Sequence, residues 1–205
     1  MVQPIGNNEV RLTGAAAGRP VLSHKNRGEA FYLLPLLVRR LSGTEDEIPL
    51  LLRQRQLEAL ELCEADGLCV EGELRSFNNR SGEGPRLLIS VFVRTISLCD
   101  GEDDNFVRLR GALCRPPRLR RTPLGREICD LMLAVNRSYG RSDYLPCICW
   151  GRLARNMADQ PVGTALQLTG RIQSRRYIKL TEDGPLEKTA YEVSASEIEL
   201  LEREA

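Results

Sequence analysis

From residue 165 to 177, apolar and polar side chains alternate with a period of two. Leu166, Leu168, Gly170 and Ile172 fall on one face; Gln167, Thr169, Arg171, Gln173, Arg175 and Tyr177 fall on the other. Successive side chains of a β-strand point to opposite sides, so this pattern predicts a half-buried strand over 165–177. Upstream, 105–118 opens with Phe106, Val107, Leu109 and Leu113. Residues 127–136 hold an apolar run from Ile128 to Val135, and 144–151 hold another. All three read as strands. Residues 152–159 lack alternation and suit a short helix, and 188–200 close the series with Tyr191, Val193, Ile198 and Leu200. Cys147 and Cys149 are two apart on one strand, so both should point into its core.

The first half of the chain repeats this order. Asn8-Glu-Val-Arg-Leu-Thr-Gly14 recurs as Asn105-Phe-Val-Arg-Leu-Arg-Gly111, with five of seven residues identical at an offset of 97. The same offset carries Gly28 onto Gly125, Val38 onto Val135, Arg40 onto Arg137 and Pro49 onto Pro146. After one inserted residue, Gly72-Glu-Leu-Arg-Ser76 falls on Gly170-Arg-Ile-Gln-Ser174. A period this long marks a duplicated domain, because solenoid repeats run to about 20–50 residues. The first copy predicts strands at 8–22, 29–40, 48–53, 67–77 and 86–98, with a helix at 54–64. Five strands with a helix between the third and fourth is the order of the OB-fold, a small Greek-key barrel. The expected class is therefore all-β, with two tandem OB-folds over 1–100 and 105–205. The acidic run Gly101-Glu-Asp-Asp104 reads as the linker or turn between them.

Composition narrows the function. No apolar run approaches the roughly 20 residues of a membrane span, and Met1 to Gly14 lacks the pattern of a secretory signal. A cytoplasmic location and no membrane partner are expected. Seven cysteines, an odd number without any Cys-x-x-Cys, fit a reducing compartment. Cys147-Ile-Cys149 is too tight for a zinc knuckle, and the single histidine, His24, has no companion ligand. No phosphate loop, nucleophile elbow or histidine-rich set occurs. The chain is expected to be no enzyme, with no cofactor, no metal and no small-molecule substrate.

The net charge of +1 conceals a strong asymmetry. Residues 1–104 carry a net −4, residues 105–180 a net +11 and residues 181–205 a net −6. An excess of +11 within one segment is the footprint of a polyanion binder. Nearly all these bases are arginine, which pairs with phosphate as a fork and also stacks on bases. Single-strand binding needs a basic groove for the backbone and aromatic faces for the bases. The alternation puts Arg171, Arg175 and Tyr177 on the outward face of one strand, with Arg176 and Lys179 close by. Arg115, Arg118, Arg120, Arg121 and Arg126 make the first loop region basic, able to displace counterions from phosphates.

The stretch from Asn105 to Leu200 resembles the OB domain of bacterial single-stranded DNA-binding proteins. The resemblance is carried by Asn105-Phe-Val-Arg-Leu-Arg-Gly111, Thr122-Pro-Leu-Gly125, Leu133-Ala-Val-Asn136, Trp150-Gly-Arg-Leu-Ala154, Val162-Gly163, Gly170-Arg171 and Thr189-Ala-Tyr-Glu-Val193. It implies base stacking on Tyr139, Tyr144, Trp150 and Tyr177, four of only ten aromatics in the chain. It also implies roles in DNA replication, recombination or repair, and a homodimer that gathers four OB-folds. In the first copy the same four positions are Ser42, Glu47, Arg53 and Asn79, and Thr169 and Arg171 become Glu71 and Glu73. Carboxylates on that face would repel phosphate, so the first copy reads as a structural or assembly partner. The segment Ser196 to Ala205 has neither a Gly/Pro-rich linker nor an aromatic tip, so recruitment of proteins through such a tail is not expected. In this respect the chain is more similar to tailless primosomal replication proteins. An assembly module whose main ligand is a protein, or an RNA-binding OB protein, is the alternative reading.

Overall fold

The computed structural model describes residues 6–60, 63, 65–79, 87–138, 140–181 and 184–202, with side chains for all of these except 179–181. Within them the first copy contains β1 (Asn8–Ala16), β2 (Val21–Asn26), β3 (Glu29–Arg39), β4 (Glu45–Arg53), α1 (Gln54–Glu58), β5 (Gly67–Asn78) and β6 (Leu87–Leu98). The second contains β7 (Asp104–Leu113), β8 (Arg118–Arg121), β9 (Glu127–Asn136), β10 (Ser142–Trp150), α2 (Gly151–Ala158), β11 (Ala165–Thr181) and β12 (Gly184–Leu200).

Each copy closes into an OB barrel. In the first, β3 pairs antiparallel with β4 from Phe31↔Arg53 to Arg39↔Glu45, and β4 runs parallel to β6 at Leu50↔Val91. β6 pairs with β5, β5 with β1 from Val10↔Gly72 to Ala15↔Gly67, and the end of β1 returns to β3 at Ala16↔Leu36. The second repeats the scheme, with β10 parallel to β12 at Cys147↔Val193 and β7 bridging β11 and β9. Closing so small a barrel forces backbones together at its corners. A Cβ on Gly14 would collide with the carbonyl oxygen of Leu37, and one on Gly111 with that of Ala134; Gly72 and Gly170 stand likewise against Phe92 and Ser194. Gly14, Gly72, Gly111 and Gly170 are thus positions where no side chain fits.

The expected strands 8–22 and 105–118 are each broken in two. Gly18, with φ +99, interrupts the first, and Pro116 and Pro117 the second, because proline cannot donate to a ladder. The detached pieces, β2 and β8, are exposed at every residue and pair with β3 and β9 as a sixth strand of each copy. The turn Arg27-Gly28 has positive φ at both residues, 49° and 83°, as a tight hairpin requires. The helix expected over 54–64 closes at Glu58.

The cores are aliphatic. Leu34, Leu36, Ile48, Leu50 and Leu52 fill the first, and Val107, Leu109, Leu133, Leu145 and Leu168 the second. Cys147 and Cys149 point inward as expected, and burial pushes the Cys149 thiol up to about 12 and raises that of Cys147. Each barrel also buries one ion pair at matching places. Arg40 donates Nε to Asp46 Oδ2 at 2.6 Å, and Arg137 does the same to Asp143 at 2.6 Å; both carboxylates are wholly buried. Such a carboxylate is tolerated only when its partner is held in place. One cysteine pair departs from the expectation of reduced thiols. Cys69 and Cys99 are disulfide-bonded with Cα atoms 5.8 Å apart, because pairing of Cys69 with Ser97 brings the chain after β6 back over β5.

The compact units do not follow the sequence halves. One comprises Met1–Glu9, Phe106–Ile172 and Glu192–Ala205; the other comprises Val10–Asn105 and Gln173–Tyr191. The reason is the length of β11 and β12, 17 residues each, against the 165–177 that the alternation predicts. At about 3.3 Å per residue each spans roughly 56 Å, well beyond one small barrel. The outer part of this hairpin packs with the first barrel. Asp46 Oδ1 accepts from Ser174 N at 2.7 Å and from Ser174 Oγ at 3.2 Å, and Glu47 N donates to Ser174 Oγ at 3.3 Å. In the other unit, Arg108 pairs with Glu9, and Arg110 N donates to Asn7 O at 2.8 Å.

Candidate nucleic-acid interface

On the second barrel, register builds one outward face. Arg120 lies opposite Ile128, and Ile128 opposite Trp150; Tyr144 lies opposite Ala134. Directly opposed residues of antiparallel strands share a face, so Tyr144 and Trp150 point the same way. They are 49% and 37% exposed, on a strand whose other residues are buried or half-buried. Trp150 ends β10 in an extended conformation and is the N-cap residue of α2. Gly151, at φ +55, turns the chain away from it. The indole therefore stands at the rim of the sheet, which the parity of β10 alone leaves open.

The arginines of the basic loop region are all exposed, but they differ. Arg120 is forked onto Asp130, with Nε and Nη2 at 2.6 and 2.8 Å, and this hydrogen bonding raises its pKa further. Arg121 stands 3.6 Å from Glu127, which also pairs with Arg155. Arg115 and Arg118 have no ion pair among the described residues and present open charge. On β11, Arg171 is exposed and belongs to the same unit as Trp150. Arg175, Arg176 and Tyr177 belong to the other unit. There the Arg175 guanidinium lies 5.6 Å from the Tyr177 ring centre, and Arg176 stands 3.9 Å from Glu47. The expected set is thus divided between the two units. Tyr139 and the Lys179 side chain lie outside the described residues.

The first barrel corrects the sequence reading at Glu73. That carboxylate was expected to stand on an open face and repel phosphate. It is 7% exposed and paired with both Arg75 and Arg94. Glu71 does face solvent, accepting from Thr95 Oγ1 at 3.2 Å. The face around Glu73 also carries rings that linear comparison of the copies misses. His24 stacks on Phe31 at 4.9 Å, Phe31 meets Phe92 at 6.4 Å, and the Arg53 guanidinium lies 4.7 Å over Phe92. His24, which has no companion ligand in the sequence, is part of this row.

With that geometry in place, comparison with known proteins is specific. A profile of the single-strand binding protein family matches residues 104–201. Over those residues the chain is similar to that family. The single-stranded DNA-binding protein of Oceanobacillus iheyensis is 36% identical to this chain over 107 residues, 48% of this chain and 63% of the relative. Single-stranded DNA-binding protein A of Bacillus subtilis is 36% identical over 80 residues, 36% of this chain and 46% of the relative. The chain thus spans less than two thirds of the length of the curated relatives it matches. The crystal structure of the wild-type single-stranded DNA binding protein from Thermus aquaticus superposes with a TM-score of 0.76 at 28% identity, covering 98% of this chain and 95% of that one. The similarity in fold therefore extends over both copies.

Proposed function

We propose that this chain is a cytoplasmic, non-catalytic binder of single-stranded DNA that serves replication, recombination or repair without reading base sequence. The observation that carries the reading is the pair Tyr144 and Trp150, exposed on one face of β10 within the stretch that the single-strand binding family's profile matches. Stacking on aromatic faces is indifferent to base identity, since every base has a π-face. Arg115, Arg118 and Arg171 supply backbone charge to the same barrel, and Arg175, Arg176 and Tyr177 are the members of the proposed set in the other unit. Lys179 and Tyr139 complete the proposed set. In this reading the domains are 1–100 and 105–205, one barrel each, and the second is the principal binder.

Titration of Trp150 emission with oligo-dT at two salt concentrations tests this. Quenching is expected, with affinity falling at a log–log slope near −0.7 per phosphate contact. Equal affinity for duplex and single strand would overturn it, and stronger binding to an RNA oligomer would favour the RNA reading. We further propose a homodimer assembling four OB-folds, since closed two-fold dimers are the commonest oligomers. Light scattering should report twice the 23.0 kDa chain mass; a monomer at micromolar concentration would refute it.

A further inference from the structure

We propose that Arg53 is a base-stacking platform in the first barrel, a planar cation laid over Phe92 that takes the place of Trp150 in the second. The proposal rests on the single-strand binding reading above. Arg53 and Trp150 occupy equivalent positions: each is the last residue of its strand, β4 or β10, and each is the N-cap residue of the following helix. Both have extended backbones, with φ/ψ of −79°/149° and −123°/152°. From sequence, arginine at this position looks like the loss of an aromatic. In the structure it is the upper layer of one. Its guanidinium carbon lies 4.7 Å from the Phe92 ring centre, and Phe92 in turn packs 6.4 Å from Phe31, which is buried beneath His24. A guanidinium stacks on a ring with one face and offers the other, and arginine contributes in this way to single-strand binding.

Three details favour stacking over simple charge. Glu29 Oε2 stands 3.5 Å from Arg53 Nε, so much of the positive charge is already balanced. That carboxylate also fixes the side chain, which is only 25% exposed and so gives up little freedom on binding. Arg55 and Arg94 flank the platform; although paired with Glu29 and Glu73, they stay 74% and 64% exposed and keep part of each guanidinium open to a backbone. A nucleobase of a single strand, seated on Arg53 with its phosphates toward Arg55 and Arg94, is the ligand that this arrangement fits.

The test uses the full chain and a labelled oligo-dT of about 30 nucleotides, long enough for two OB-folds. Affinity is read by anisotropy at two salt concentrations for Arg53→Ala, Arg53→Lys, Arg53→Trp and Trp150→Ala. Arg53→Ala and Arg53→Lys should both weaken binding by about 5- to 20-fold, at the low end of one lost stacking partner, with the parent's salt slope. Arg53→Trp should bind within about twofold of the parent. An Arg53→Lys variant equal to the parent overturns the proposal, because lysine keeps the charge and loses only the plane. An Arg53→Trp variant as weak as Arg53→Ala also overturns it. Should circular dichroism show Arg53→Ala unfolded, Phe92→Leu, which removes the supporting ring, must give the same loss of affinity; parent-like binding by it overturns the proposal. Failure of the parent to bind oligo-dT would instead overturn the proposed function. Weak binding by Trp150→Ala alone would leave that function standing and remove only Arg53.

Discussion

Replacing Trp150 by alanine tests the candidate interface at its best-placed residue. The indole is 37% exposed at the end of β10 and lies opposite Ile128, itself buried. Two costs follow, and the structure separates them. The exposed part is the surface a base stacks on, and its loss should weaken oligo-dT binding by about 1–3 kcal/mol, roughly 5- to 150-fold. The buried part packs on the sheet. Truncating a fully buried tryptophan costs about 3–5 kcal/mol, so this partly exposed one should cost about 1–2 kcal/mol of folding stability. The indole meets no phosphate in this scheme, so the salt slope should stay at the parent's value. Trp150 is the only tryptophan, and the variant has no intrinsic signal to quench. Anisotropy of a labelled oligomer is therefore the assay, with urea unfolding followed by circular dichroism as control. Trp150→Phe, which keeps a ring, should recover most of the affinity. Parent-like affinity for Trp150→Ala, with the parent itself binding tightly, would show that the strand does not cross this face.

Glu73→Arg should destabilise the first barrel by about 3 kcal/mol in urea unfolding, since it replaces the buried carboxylate between Arg75 and Arg94 with a third cation; unchanged stability would contradict the pairing. Arg118→Ala should lower the salt slope by about 0.7, one phosphate contact, whereas Arg120→Ala should lower it less because Asp130 already engages that guanidinium. Equal slopes for the two would remove the distinction. Reducing the Cys69–Cys99 disulfide, or replacing both cysteines by serine, should cost about 3–4 kcal/mol of stability, the chain-entropy value for a separation of 30 residues. Identical urea midpoints with and without reductant would show the bridge to be inconsequential.

The sequence alone determined the strands, the duplication and the barrel. Period-two alternation from Leu166 to Ile172 needs only the pleat, and the paired glycines Gly14 and Gly111 mark the same corner in both copies because no Cβ fits there. Outward parity likewise put Arg171 and Arg175 in the open, since this depends on neighbours along one strand. The breaks at Gly18 and Pro116-Pro117 were legible in principle, since glycine weakens a strand and proline cannot donate to a ladder. What only the tertiary structure decided are relations between distant segments. Ser174 meets Asp46 across 128 residues, which is why the outer part of the β11–β12 hairpin packs with the first barrel and divides the arginines and tyrosine of one strand between two units. Glu73 follows the outward pattern of its strand, yet Arg75 and Arg94 cover it. Arg53 faces Phe92, and Cys69 reaches Cys99, only because β6 lies between β4 and β5. Local periodicity fixes which way a side chain points, because that depends on the backbone of its own strand. What the side chain meets depends on strand order, which the chain acquires only when the barrel closes.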